Sequence, residues 1–199
     1  MIRRLAHVIH VTDDIDALNR WYATRFAPHW FMGWPEPHYL ESERRLASMF
    51  MLDDVCIETM APAPPVDETT AVGRYLLRHG PGLYAIAFLV DDLPGWAARL
   101  NCTAGEHYFV TRAKDMGGVQ VEFLNMVLSG DPRPEDAITG GTRIVIHVDE
   151  PEAAEQAFAR IDASQSGTTF EFTTGESGLR RSDGTWIGFA AAADTKGTV

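Results

Sequence analysis

Several features that would narrow the function are missing from this 199-residue sequence. Its only two cysteines, Cys56 and Cys102, lack the close paired spacing of a zinc or redox motif. No run of residues approaches the roughly twenty apolar positions that a membrane span needs. Residues 1–6 are not followed by the apolar stretch of a signal peptide. We therefore expect a protein of a reducing compartment, the cytoplasm, with no membrane partner.

Basic residues are also in short supply. The chain has 17 Lys and Arg against 28 Asp and Glu, a formal net charge of −11. This balance argues against nucleic acid as a partner, because phosphates attract basic surfaces. The net negative charge does not exclude an anionic small substrate, since the basic pair Arg44 and Arg45 could still face a pocket. With 45% hydrophobic residues, the chain can build a substantial core.

One local pattern occurs three times along the chain, at residues 7–22, 85–100 and 144–161. Alternating apolar residues lead into acidic residues and then into apolar residues at helical spacing, which predicts a strand followed by a capped helix. Each occurrence is followed by further strand-like segments separated by turn residues. The sequence therefore predicts an α+β fold built from repeated βαβββ units.

Two linkers rich in proline or glycine, at residues 61–65 and 129–134, separate these units. We predict two tandem βαβββ modules at about 5–62 and 80–128, which together form one domain, 5–128. A third, compressed βαβββ-like module is predicted at 141–192. It has Ile144 and Gly188 at the positions where the other modules carry polar residues, so we expect it to extend the sheet, cover an edge or mediate a homodimer.

The opening and closing strands of the first two modules resemble the vicinal oxygen chelate superfamily, which contains glyoxalases, bleomycin-resistance proteins and extradiol dioxygenases. Residues 73–82 are most similar to the methylmalonyl-CoA epimerase and glyoxalase branch. The resemblance implies cupped mixed sheets around a small-molecule pocket. It rests on the motifs HVIHVTDD at 7–14, IETMAP at 57–62, GPGLYAIAFLVDD at 80–92 and GVQVEF at 118–123.

Carried over position by position, the resemblance implies that His7, Glu58 and Glu122 are ligands of a divalent metal ion, such as Fe, Mn, Zn or Mg. Both glutamates interrupt otherwise apolar strands, where a carboxylate is costly unless it is paired or bound to a cation. The alternative is that all three are polar positions in a pocket without metal.

Two positions depart from the pattern of the superfamily. Ala85 stands where a fourth ligand, normally His, is expected. The adjacent Tyr84 is expected on the opposite face of its strand and is a poor replacement unless the register slips. Ser48 stands where the epimerase branch carries a catalytic carboxylate, so the catalytic residues stay unassigned.

An aromatic segment at residues 28–39 is interrupted by glycine and proline and predicts a loop that lines or covers a hydrophobic ligand. Packing between subunits is the alternative. The predicted substrate-binding residues are Trp30, Phe31, Trp34, Tyr39, Met49, Met51 and Tyr108.

Three functions follow from this pattern. The preferred one is a metal-dependent lyase, isomerase or ring-cleaving dioxygenase acting on a small hydrophobic or aromatic substrate that carries oxygen. The second is a metal-free protein that binds and sequesters a small molecule, of the bleomycin-resistance type. The third is a partner or regulatory subunit that has no small ligand.

Overall fold

The computed structural model describes residues 1–134, 137 and 141–190, so residues 191 and 192 of the third predicted module lie outside it. Within these ranges the chain forms helices and two mixed sheets, which confirms the α+β class. None of the described helices is both long enough and apolar enough to cross a bilayer. The helices are α1 (Ile15–Phe26), α2 (Ala71–His79), α3 (Leu93–Arg99) and α4 (Pro151–Arg160). The strands are β1 (Ile2–Val11), β2 (His29–Met32), β3 (His38–Leu40), β4 (Arg45–Leu52), β5 (Val55–Pro62), β6 (Gly82–Val90), β7 (Tyr108–Val110), β8 (Val121–Leu124), β9 (Arg143–His147), β10 (Thr169–Thr173), β11 (Gly178–Arg180) and β12 (Trp186–Gly188).

Strand β1 lies at the centre of the first sheet, whose strand order is β2-β4-β5-β1-β6-β8-β7, with β3 paired to β4. It runs parallel to β5 and antiparallel to β6. Both β1 and β6 lead directly into a helix. Asp14 caps α1 by accepting a hydrogen bond from the backbone N–H of Ala17, and Asp92 caps α3 in the same way through Gly95. The acidic residues after these two strands therefore act as the helix caps that the sequence predicts.

The two faces of the first sheet have different surroundings because side chains alternate along each strand. His7 and Ile9 point to the concave face and border a cavity, whereas Val8 belongs to the core on the convex face. His10 also lies on the convex side, where its Nδ1 is 2.9 Å from the hydroxyl oxygen of Tyr22 on α1. Burial lowers the pKa of His10 to about 3, so its ring is neutral at neutral pH.

The third segment begins with a strand and a helix, as the first unit does, but has a different strand pairing. Its strands form a second sheet in the order β10-β9-β11-β12. The opening strand β9 lies between β10 and β11, whereas β1 lies beside its closing strand β5. Phe158 of α4 and Phe170 of β10 contact Phe88 of β6, and side chains from both sheets share one apolar core. The third segment therefore covers the convex face of the first sheet.

Gly117 permits the close approach of α4 to the loop before β8. Its φ is +66°, and a Cβ at this position would lie 2.4 Å from the backbone of Ala154. Gly117→Ala would add left-handed backbone strain of about 1–3 kcal/mol together with this clash, so we expect a lower free energy of unfolding. Gly184→Ala is a matched control, because its φ is +86° but a Cβ would meet nothing within 4 Å. Urea unfolding should show the larger loss for Gly117→Ala, and equal losses would contradict this packing.

Candidate functional site

A cavity of about 770 Å³ opens on the concave face of the first sheet. Its wall is largely apolar, and α2 borders it through Val72 at its N-terminal end. Four methionines contribute to the wall, and their flexible thioether side chains suit irregular apolar ligands. They are Met32, Met49, Met60 and Met126.

The other end of the concave face is closed by residues 127–133, which follow β8. Asp131 accepts hydrogen bonds from Arg4 and Arg133, and Arg133 also donates to two carbonyl oxygens of β1. The side chains of Arg4 and Asp131 are only 2% and 1% exposed. This buried ion-pair cluster confines the cavity to the end of the concave face that carries His7.

His7, Glu58, Arg45 and Glu43 form a chain of charged contacts along the cavity wall. Nη1 of Arg45 donates to Oε1 of Glu58 at 2.5 Å, and its Nε donates to Oε2 of Glu43 at 2.6 Å. Nε2 of His7 lies 3.2 Å from Oε2 of Glu58 but is too poorly aligned for a hydrogen bond. Burial by itself would raise the pKa of Glu58, but Arg45 and His7 outweigh it and hold this pKa at about 2. Glu58 is therefore ionised at neutral pH, and its charge is balanced within the protein.

Glu122 faces the same cavity from the other side of β1. The register pairs His7 with Ala87 and Ala87 with Glu122, so His7 and Glu122 lie in one row across three strands. Among the described residues, Glu122 has neither a hydrogen-bond partner nor an ion-pair partner. Burial, reinforced by the charge of Glu58 and opposed by His7, raises the pKa of Glu122 to about 7. Its carboxyl group can therefore take up and release a proton near neutral pH.

The raised pKa of Glu122 predicts a pH-dependent stability. The folded chain holds this proton up to about pH 7, whereas the ordinary value is 4.5, so stability falls as the pH rises between these values. Glu122→Gln carries no titrating group, so we expect it to match the wild-type chain near pH 4.5 and to exceed its free energy of unfolding by at most about 3 kcal/mol above pH 7.

Urea unfolding of both proteins across this pH range tests the expectation. Glu106→Gln is the control, because the Glu106 side chain is 86% exposed and its removal should not reproduce the pH dependence. A stability difference for Glu122→Gln that does not change with pH would contradict the raised pKa.

No protein-family model and no curated protein matches the sequence, but solved structures match the fold. Methylmalonyl-CoA epimerase from Mycobacterium tuberculosis is 22% identical with a TM-score of 0.50, over 62% of this chain and 87% of that chain. A variant of the Streptomyces coelicolor methylmalonyl-CoA epimerase in complex with 2-nitronate-propionyl-CoA is 21% identical with a TM-score of 0.51, over 62% and 97% of the two chains. A hypothetical protein from Bacillus halodurans is 15% identical with a TM-score of 0.51, over 61% and 92%. The chain has the vicinal oxygen chelate fold.

Within this vicinal oxygen chelate fold, the described residues do not fit a metal ion as they are arranged. The resemblance assigns the metal to His7, Glu58 and Glu122, but Oε1 of Glu58 already accepts a hydrogen bond from Arg45. In the described part of the chain, no three His, Cys, Asp or Glu side chains are close enough to share an ion. Ala85, at the fourth ligand position, packs in an apolar cluster with neighbouring strands. The cation beside Glu58 is thus an arginine side chain.

Two of the seven predicted substrate-binding residues, Met49 and Tyr108, line the cavity. Phe31 and Met51 belong to an apolar cluster around Cys56 that also contains the cavity residue Met49, but they do not line the cavity themselves. The first sheet thus brings only part of the predicted set together.

The remaining three predicted residues lie away from the cavity. Trp30 turns toward the convex side and contacts Phe50 at a ring-centroid distance of 4.4 Å. Trp34 stacks on Trp30 at 4.7 Å, and Tyr39 is 56% exposed. The β2–β4 pairing contains a register shift between Trp30 and Met32. Trp30 therefore packs on the convex side, and Met32 is the residue of β2 that lines the cavity.

Arg45 and Tyr84 also line the cavity. The sequence left open that Arg45 faces a pocket but gave it no role, and it gave Tyr84 no place in the site. Along β4, alternation puts Arg45 on the same face as Met49, whereas Ser48 faces away and donates a hydrogen bond to the carbonyl oxygen of Gly33. Ser48 therefore does not face the cavity. Tyr84 was expected on the opposite face unless the register slips, and a register shift in the β1–β6 pairing turns it toward the cavity.

Proposed function

We propose that this chain is an enzyme that moves a proton on the carbon atom next to a carbonyl group of a small, largely apolar substrate, with Glu122 as the base. One observation carries this proposal: Glu122 has a half-buried carboxyl group without a partner among the described residues, and it faces a cavity large enough for a small molecule. A pocket that only sequesters a ligand has no need for such a group. The reaction class that this favours is an isomerase or epimerase.

Removal of the proton needs a base and donors for the carbonyl oxygen. Glu122 takes the proton as the C–H bond breaks, and the electron pair moves to the carbonyl oxygen, which gives an enolate. Return of the proton by Glu122 to another carbon atom of the enolate completes an isomerisation, and an epimerisation needs in addition a proton donor on the opposite face of the enolate. Arg45, His7 and Tyr84 border the same cavity and can donate to the oxygen while it carries the charge.

The charges of the cavity favour an uncharged substrate. The two arginines that line it are paired with carboxylates, Arg45 with Glu43 and Glu58, and Arg44 with Asp67 at 3.6 Å, so their charges are already balanced. A phosphate-bearing ligand would require basic side chains whose charges are not balanced within the protein. We therefore infer a neutral carbonyl compound, in contrast to the acyl-CoA ligand of the Streptomyces coelicolor complex.

The second candidate function is binding without catalysis. The four methionines of the wall favour it, because methionine-rich surfaces accept ligands of different shapes. This candidate predicts ligands that bind in the cavity without any exchange of their protons with water.

A screen in deuterium oxide separates the two functions. The protein is incubated with neutral ketones, aldehydes, hydroxyketones and thioesters, and proton NMR follows the loss of the signal next to the carbonyl group. We expect the wild-type chain to catalyse deuterium incorporation into at least one compound. Compounds that bind without exchange would support the binding function instead.

A further inference from the structure

Arg45 is held at two points of the cavity wall by groups of opposite charge. Its Nη1 bonds Glu58 and its Nε bonds Glu43, and its side chain is only 14% exposed. A guanidinium group keeps its positive charge in proteins, and the two carboxylates balance that charge at the wall. Arg45 is therefore a fixed cation on the concave face.

The second amino group of Arg45, Nη2, is left free by these contacts. It has no hydrogen-bond partner among the described residues, and Arg45 lines the cavity. The guanidinium group can thus hold Glu58 on one side and offer a donor to a ligand oxygen on the other.

Arg45 and a metal ion would compete for the same carboxylate, Glu58. The resemblance assigns Glu58 to a metal ion, but Oε1 faces Arg45 at 2.5 Å and Oε2 faces His7 at 3.2 Å. A metal ion bound to Glu58 would lie beside the positive charge of Arg45. Two cations that contact the same carboxylate repel each other strongly in a buried site. Either Arg45 or a metal ion can therefore neutralise Glu58.

We propose that the Arg45 guanidinium is the resident cation of this cavity, in place of a metal ion, with Glu58 as its fixed counter-ion. The inference rests on the proposed function, in which the enolate formed by Glu122 needs a positive charge near its oxygen. Arg45 supplies that charge through Nη2, and Glu58 acts as the positioning residue that keeps the guanidinium group at the wall.

Titration with Co(II) at about neutral pH, followed by calorimetry and by the visible absorption of bound Co(II), tests this proposal without any substrate. Arg45→Met frees Glu58, so this variant should bind Co(II) at least about tenfold more tightly than the wild-type chain. The double variant Arg45→Met/Glu58→Gln should lose the gain, and Arg44→Met should bind like the wild-type chain. Equal affinities of the wild-type chain and Arg45→Met, whether strong or weak, would overturn the proposal.

A second comparison does not depend on how well Arg45→Met folds. Glu58→Gln leaves Arg45 paired with Glu43, so it should change the Co(II) affinity of the wild-type chain by less than about twofold. A larger loss would mean that Glu58 already binds metal beside Arg45, which would overturn the proposal. These Co(II) affinities are measured without turnover. Failure of the proton-transfer function would be seen separately, as full deuterium exchange in Glu122→Gln.

Discussion

Glu122→Gln is expected to lower the rate of proton exchange on a substrate by about 10²- to 10⁴-fold, the usual contribution of a general base. Glutamine has nearly the same shape as glutamate, so it preserves the packing of β8 but cannot accept the proton. Because Glu122 has no hydrogen-bond partner among the described residues, the substitution breaks no contact. The loss should therefore lie in kcat, with KM changed little.

The pH dependence of the exchange gives a second readout of the same residue. The base must be ionised, and the pKa of Glu122 is raised to about 7, so the rate in the wild-type chain should rise with pH up to about 7 and then level off. Glu106→Gln, on the exposed surface, should behave like the wild-type chain. Full exchange activity in Glu122→Gln would assign the base to another residue.

Phe88→Ala is expected to lower the free energy of unfolding by about 3–5 kcal/mol, the usual cost of removing a buried phenylalanine. Phe88 is fully buried on β6 and contacts Phe123 of the first sheet, Phe158 of α4 and Phe170 of the second sheet. Its removal would leave a cavity where the two sheets meet. Urea unfolding followed by tryptophan fluorescence measures the loss.

The unfolding curve of Phe88→Ala also tests whether the two sheets unfold together. If the two sheets share one core, the whole chain should unfold in a single transition that shifts to lower urea. Leu77→Ala is the control, because Leu77 is 56% exposed on α2 and its removal should change the free energy by less than about 0.5 kcal/mol. A separate early transition, with the first sheet unaffected, would contradict the shared core.

Local patterns in the sequence predicted the parts of the fold that depend on neighbouring residues. Strand alternation followed by an acidic cap places β1 before α1 and β6 before α3, with Asp14 and Asp92 at the helix starts. His7 and His10 are three residues apart, and they lie on opposite faces of β1 as strand alternation requires. These signals lie within a few residues of the structure that they specify.

The features that the sequence did not predict depend on long-range pairing. A register shift turns Tyr84 toward the cavity, and β9 pairs with different neighbours from β1. The contact between Arg45 and Glu58 spans 13 residues and depends on how β4 pairs with β5. The metal set of His7, Glu58 and Glu122 and the homodimer stay predictions, and the role of Glu122 as a base is a proposal from the structure.

The most direct test of the proton-transfer function is the ionisation of Glu122 itself, because it requires neither a substrate nor a reaction. NMR of the side-chain carboxyl carbons in protein labelled with ¹³C-glutamate, assigned by comparison with Glu122→Gln, would follow this group through a pH titration. We predict a midpoint at about pH 7. A midpoint near the ordinary value of 4.5 would contradict a base poised for proton transfer at neutral pH.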